Sequence, residues 1–150
     1  MSAATLVDIR ANIVHATATA AQYADLAERY ATDTPVEAGD VVMLGGIEEI
    51  TKCEEAVSDA VFGVVSSSPA YLMNSEAGNN DTHPAIALTG RVPVKVRGTG
   101  KAGDRIVSAG SGEARVAAED EATTFNTLGR LIKDKYNEET ALTECVIGVK

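Results

Sequence analysis

The sequence predicts a mainly β fold, an antiparallel barrel or sandwich, behind an extended N-terminal arm and one short helix. Three observations lead there. An Ala-Gly-Asp corner occurs twice, at 38–40 and at 102–104, each time ahead of a short apolar run that ends in glycine. Short runs rich in Val and Ile then recur between Gly and Pro, as they do in barrels and sandwiches. No long amphipathic helical pattern and no alternation of strands with helices appears after Val36, which argues against a nucleotide-binding parallel sheet.

The chain opens with Val7, Ile9, Ala11 and Ile13 alternating with Asp8, Arg10 and Asn12, a strand periodicity. An Ala/Thr tract from Ala16 to Ala20 follows, with nothing large to bury. Twenty extended residues at about 3.3 Å each reach roughly 65 Å, more than a compact domain of this size spans. The segment therefore reads as an arm that pairs with a neighbouring subunit. Tyr23, Leu26, Ala27 and Tyr30 fall at i, i+3, i+4 and i+7, which predicts a helix of two turns with Asp25, Glu28 and Arg29 on its solvated side. Thr32, Asp33, Thr34 and Pro35 end it. This places an arm plus helix at 1–34 and the β domain at 35–150.

Candidate strands in that domain are 41–44, 48–52, 61–66, 85–89, 92–97, 105–108, 114–117, 126–133 and 142–149, with a helical turn at 119–122. Within each corner, Gly supplies the positive φ such a turn needs, and Asp40 or Asp104 bonds the local backbone. One connection, 67–84, is longer than compact domains usually carry without a function. Its first half holds Tyr71, Leu72 and Met73, poor residues for a solvated loop, and is read as packed. Its exposed tip is read at 78–82.

Composition narrows the function classes. The net charge is −9 with no basic stripe, which argues against nucleic acid as a partner. Aromatics make up only 4% and Trp is absent, so the core must come from Val, Ile, Leu and Ala. Cys53 and Cys145 stand alone and read as free thiols of a reducing compartment. No apolar run approaches ~20 residues, and the N-terminus lacks the pattern of a signal peptide. No membrane partner is expected, and synthesis in a cytoplasm is.

Catalytic and metal chemistry find little support. His15 lies on the arm and His83 precedes Pro84, both without neighbours at ligand spacing. Ser66, Ser67 and Ser68 with Asp59 and His83 contain the residue types of a nucleophile, orienter and base, but nothing in the spacing fixes their geometry. Asp40 and Asp104 are too few for a calcium site and read as turn residues. Arg91 and Arg130 read as surface charges that keep edge strands soluble, with a carboxylate on a docking partner as the alternative. No catalytic residue, cofactor or metal is assigned.

Three phrases carry a resemblance: Tyr-Ala-Asp-Leu-Ala-Glu-Arg-Tyr at 23–30, Val-Phe-Gly-Val-Val-Ser-Ser-Ser-Pro-Ala-Tyr-Leu-Met-Asn at 61–74, and Ala-Leu-Thr-Gly-Arg-Val-Pro-Val-Lys-Val at 87–96. With the two Ala-Gly-Asp corners they resemble a β-rich domain of tailed-phage virion proteins, cyanophage-like structural proteins among them. In that group the domain often closes a tail fibre or appendage behind an Ala/Thr-rich stem. This chain has a short arm in place of a shaft, so it looks more like a capsid decoration, or cement, protein. The resemblance then implies a non-enzymatic β-tulip- or β-clip-like barrel, a homotrimer on the capsid exterior that bridges subunits of the major capsid protein. Its interface residues would be Val7, Ile9, Ile13, Tyr23, Leu26, Tyr30, Tyr71, Leu72 and Met73. The alternative is a tail-fibre or neck-appendage module with tail or neck proteins as partners, including a carbohydrate-binding tip that would use Tyr71 and Tyr136. Some appendage proteins of similar look cleave themselves to release a C-terminal chaperone. With the sequence ending at Lys150 and no coiled coil following, that reading ranks last.

Overall fold

The computed structural model describes residues 8–15 and 24–150. Ten strands run in chain order: β1 (Asp25–Arg29), β2 (Val41–Leu44), β3 (Ile50–Lys52), β4 (Val61–Val65), β5 (Tyr71–Met73), β6 (Ala85–Arg97), β7 (Arg105–Gly110), β8 (Glu113–Val116), β9 (Gly129–Leu131) and β10 (Ala141–Ile147). The mainly β expectation holds. Five of the strands close a barrel in the order β6-β8-β7-β9-β10, with β10 returning to β6. Strands β4, β2 and β3 extend one side, and β1 with β5 forms a flap on the other edge of β6. The ladders are antiparallel except β6–β8 and β1–β5.

The short helix expected over residues 23–30 is not there: among the described residues there is no helix, and Asp25–Arg29 is a strand. Both periods were written in the same letters, since Leu26 and Tyr30 lie on one face of a strand as well as near one face of a helix. Pairing decides between them. Ala27 is fully buried against Ala87 of β6, and a strand placed there satisfies its backbone on both sides. Asp25–Arg29, on the arm side of the expected 34/35 boundary, pairs with β6 and β5, and Thr32 makes an isolated bridge to Ile50.

The two Ala-Gly-Asp corners are the same turn built twice. Asp40 N–H donates to the Glu37 carbonyl and Asp104 N–H to the Lys101 carbonyl, both at 3.0 Å. In return each Asp Oδ2 accepts the backbone N–H three residues before it, from Glu37 at 2.9 Å and from Lys101 at 2.8 Å. Gly39 and Gly103 occupy the third position with φ of 89° and 93°, the left-handed value a type II turn requires there. Each corner launches a strand into the core, β2 after one and β7 after the other.

Strand β6 organises the rest. Its second half reads Arg91-Val92-Pro93-Val94-Lys95-Val96-Arg97, and the valines are buried while most of the intervening residues face out, the period of two that a barrel wall needs. They meet Val41, Val64, Ile106, Leu128, Leu131 and Ile147 in one core. Full burial of a valine or isoleucine contributes roughly 1.5–3 kcal/mol, so this cluster dominates stability. The Val-Val pairs at 41–42 and 64–65 do not alternate because that part of the sheet is covered on both faces. Val41 and Val64 face the barrel, while Val42 and Val65 join Ile50 and Ile86 in a smaller second core. Tyr30 and Phe62 cover it edge to face, ring centroids 5.1 Å apart.

Residues 85–89 and 92–97, expected as two strands, are one. Gly90 joins them at φ 107°, pairing with Asp25 of β1 on one side and Ile147 of β10 on the other. The 126–133 strand contracts to Gly129–Leu131. Asn126 is buried instead as a turn residue, with its Oδ1 accepting Thr123 N–H at 2.7 Å.

Candidate interaction surface

Of the nine residues assigned to an interface, the structure brings four together. In the parallel ladder of β1 and β5, Leu26 lies beside Tyr71, Ala27 beside Leu72, and Glu28 beside Met73. Residues opposite one another share a sheet face, so Leu26, Tyr71, Glu28 and Met73 face one way and Ala27 and Leu72 the other. Tyr71 is 65% exposed, and Leu26, Leu72 and Met73 are half-buried. β5 pairs only with β1, so its outer edge is unpaired among the described residues, a ready template for another strand.

Tyr30 stands apart from this group. It is half-buried over the second core, and its hydroxyl donates to Glu28 Oε2 at 2.6 Å. Burial and the adjacent carboxylate push its pKa up to about 12. It packs on the second core beside Phe62. Ile9 and Ile13 lie in the 8–15 segment, where every residue is exposed and no strand forms; Ile9 is 83% exposed. Val7 and Tyr23, with the Ala/Thr tract, lie outside the described residues.

Sequence reading missed the clasp that shapes this surface. Arg29, read as merely solvated, donates through Nη1 to the His83 carbonyl at 2.7 Å and to Asn80 Oδ1 at 2.9 Å. Asn74 Nδ2 returns a bond to the Arg29 carbonyl at 3.2 Å. The long 67–84 connection is thereby held to Arg29 near its middle and near its far end, and its first half contains the strand β5. Asp25-Leu26-Ala27-Glu28-Arg29 does not alternate polar with apolar residues, so no local pattern marks this strand or the clasp.

The candidate catalytic constellation does not assemble. His83 Nδ1 lies 3.0 Å from Thr82 Oγ1, and among the described residues no hydrogen bond joins the serines at 66–68 to Asp59 or His83. Cys53 and Cys145 are free and buried, and burial pushes the Cys145 thiol up to about 12. Arg91 pairs with Glu144 at 3.2 Å. Arg130 donates to the carbonyls of Lys150 and Gly103, both at 2.9 Å, which pins the chain end to the barrel.

No protein-family model matches the sequence, and no curated protein sequence does. Solved structures do match in fold. The pre-mature form of bacteriophage phi29 gene product 12 superposes with a TM-score of 0.62 at 15% identity, over 92% of this chain and 23% of that one. The C-terminal fragment of the same gene product superposes with a TM-score of 0.57 at 16% identity, over 84% of this chain and 100% of the fragment. The chain thus spans about a quarter of the pre-mature gene product 12 chain and the whole of the C-terminal fragment. Identities this low mean that fold is what the proteins share.

Proposed function

We propose that the chain is a non-enzymatic structural module of a tailed-bacteriophage virion, of the tail-fibre or neck-appendage kind. The observation that supports it most is the fold match across the whole gene product 12 C-terminal fragment. The sequence phrases at 23–30, 61–74 and 87–96 point the same way independently. The capsid-decoration reading, with the arm bridging major capsid protein subunits, draws on the short arm alone, and the comparisons favour the appendage reading over it.

The module works by association. Ile9, Ile13 and Val14 are exposed on the N-terminal segment and Tyr71 on the unpaired β5 edge, apolar groups that a homotrimer would bury between chains. Cryo-EM of particles carrying the protein tests its location. Density at the tail or collar is expected, and density confined to the capsid surface would overturn the appendage reading. The non-enzymatic reading is tested by intact mass: the chain is expected to stay at 15.6 kDa on incubation, and a shorter product would overturn it.

A further inference from the structure

Antiparallel pairing makes alternate N–H groups of β6 point away from β10. Arg91 N–H reaches the Ala24 carbonyl at 3.3 Å and Lys95 N–H the Gly39 carbonyl at 2.9 Å, but Pro93, between them, has no N–H to offer. The sheet is open at that point. A cleft of about 310 Å³ occupies the gap, walled by Asp25, the serines at 66–68, Pro93 and the Arg91–Glu144 pair.

Asp25 is only 5% exposed, and its Oδ2 has no hydrogen-bond partner among the described residues. A buried carboxylate oxygen left unmet is strongly unfavourable. The fold meets the same problem elsewhere by supplying a cation. Asp40, 1% exposed, is met by Lys95 at 2.5 Å and Lys52 at 3.4 Å. The buried Lys135 ammonium, conversely, is surrounded by the carbonyls of Gly98, Asn137 and Glu139 and by Asn137 Oδ1. Among the described residues lining the cleft the one cation, Arg91, is turned to Glu144 at 3.2 Å.

We infer that this cleft binds a primary ammonium group, held by the Asp25 carboxylate where it lines the cleft, with the serine hydroxyls accepting its remaining hydrogens. Two carboxylates against one guanidinium give the walls a net negative charge that favours a cation. A compact ammonium with three rotatable donors suits a carboxylate with one oxygen buried among scattered hydroxyls, whereas a guanidinium wants two coplanar acceptors. Among the described residues no aromatic side chain lines the cleft, so they offer a stacked sugar no platform. The inference stands apart from the virion reading, because it uses the cleft alone. A lysine side chain of another polypeptide and a free polyamine carry the same chemistry.

The test is a titration of the isotope-labelled full chain, following the backbone amide signals of Asp25, Arg91 and the serines at 66–68. One arm uses N-acetyl-lysine methylamide and the other spermidine. Saturable shifts confined to these residues are expected, and Asp25→Asn is expected to weaken binding by about tenfold, equivalent to about 1.4 kcal/mol. Should Asp25→Asn lose its dispersed spectrum, Glu144→Gln serves instead, expected to weaken binding several-fold by freeing Arg91 to occupy Asp25. Saturation by the lysine derivative alone assigns a protein side chain, and saturation by spermidine alone a free amine; either supports the site. Absence of saturation in both arms, equal shifts with the Nζ-acetylated derivative, or variants that bind unchanged would overturn it.

Discussion

Asp40 does three jobs at one address. Its backbone closes a turn, its Oδ2 caps Glu37 N–H, and its charge is shared between Lys95 and Lys52. Burial pulls the Lys95 ammonium down, but hydrogen bonds to Asp40 and Glu37 outweigh it and hold its pKa above the ordinary value. Removing the shared carboxylate takes from Lys52 its bridge to Asp40 and leaves Lys95 with Glu37 at the barrel wall. Asp40→Ala is therefore expected to destabilise by about 2–3 kcal/mol, below the full value for a broken buried pair because both lysines keep some solvent. Urea denaturation measures it, and a loss under about 0.5 kcal/mol, the range of an ordinary surface change, would contradict this account. Glu121 gives a pH signature. Its two oxygens accept Arg115 Nη1 and Nη2, each at 2.7 Å, and Oε2 also accepts Ala118 N–H at 2.8 Å. The Arg115 bonds first, then the backbone bond, depress its pKa from 4.5 to about 2. A depressed acid contributes stability that is whole above 4.5 and disappears as pH falls through about 2. Arg115→Gln is expected to flatten the stability–pH curve in that window, with a loss of about 1 kcal/mol near neutrality. An unchanged slope would show that the pair does not form in solution.

At the scale of the element, Gly90 decides whether β1 stays on the sheet. A Cβ there would lie 2.2 Å from the Ala24 carbonyl oxygen, and φ of 107° is strained for any other residue. Gly90→Ala is expected to loosen β1 from β6 at a loss of more than about 2 kcal/mol. Amide exchange should show Leu26, Ala27 and Glu28 deprotected first, and uniform loss of protection across the barrel would contradict that role. β1 also shows where the sequence was readable. The strands launched by the Ala-Gly-Asp corners, and the alternating stretch after Gly90, were legible because local turn chemistry and a period of two agree with the fold there. β1 and β5 were not, because each depends on partners far along the chain. Leu26 and Tyr71 are adjacent only after the 67–84 connection folds back under the Arg29 clasp. The candidate surface was half legible for the same reason. Tyr71, Leu72 and Met73 stood out as apolar residues in a long connection, whereas Asp25 and Arg29 carry no signal until the strand is paired.

At the scale of the whole molecule, the barrel leaves much unfinished surface. Both thiols are buried, and among the described residues no three His, Cys, Asp or Glu side chains converge. Against this stand the unpaired β5 edge with Tyr71 and the exposed apolar residues of 8–15. The central claim is that other copies of the chain complete that surface. Sedimentation equilibrium of the full chain beside Tyr71→Asp tests it most directly. A wild-type mass of three chains that shifts toward one chain in the variant is the expected result. A folded wild-type monomer at every concentration, indistinguishable from the variant, would contradict the account.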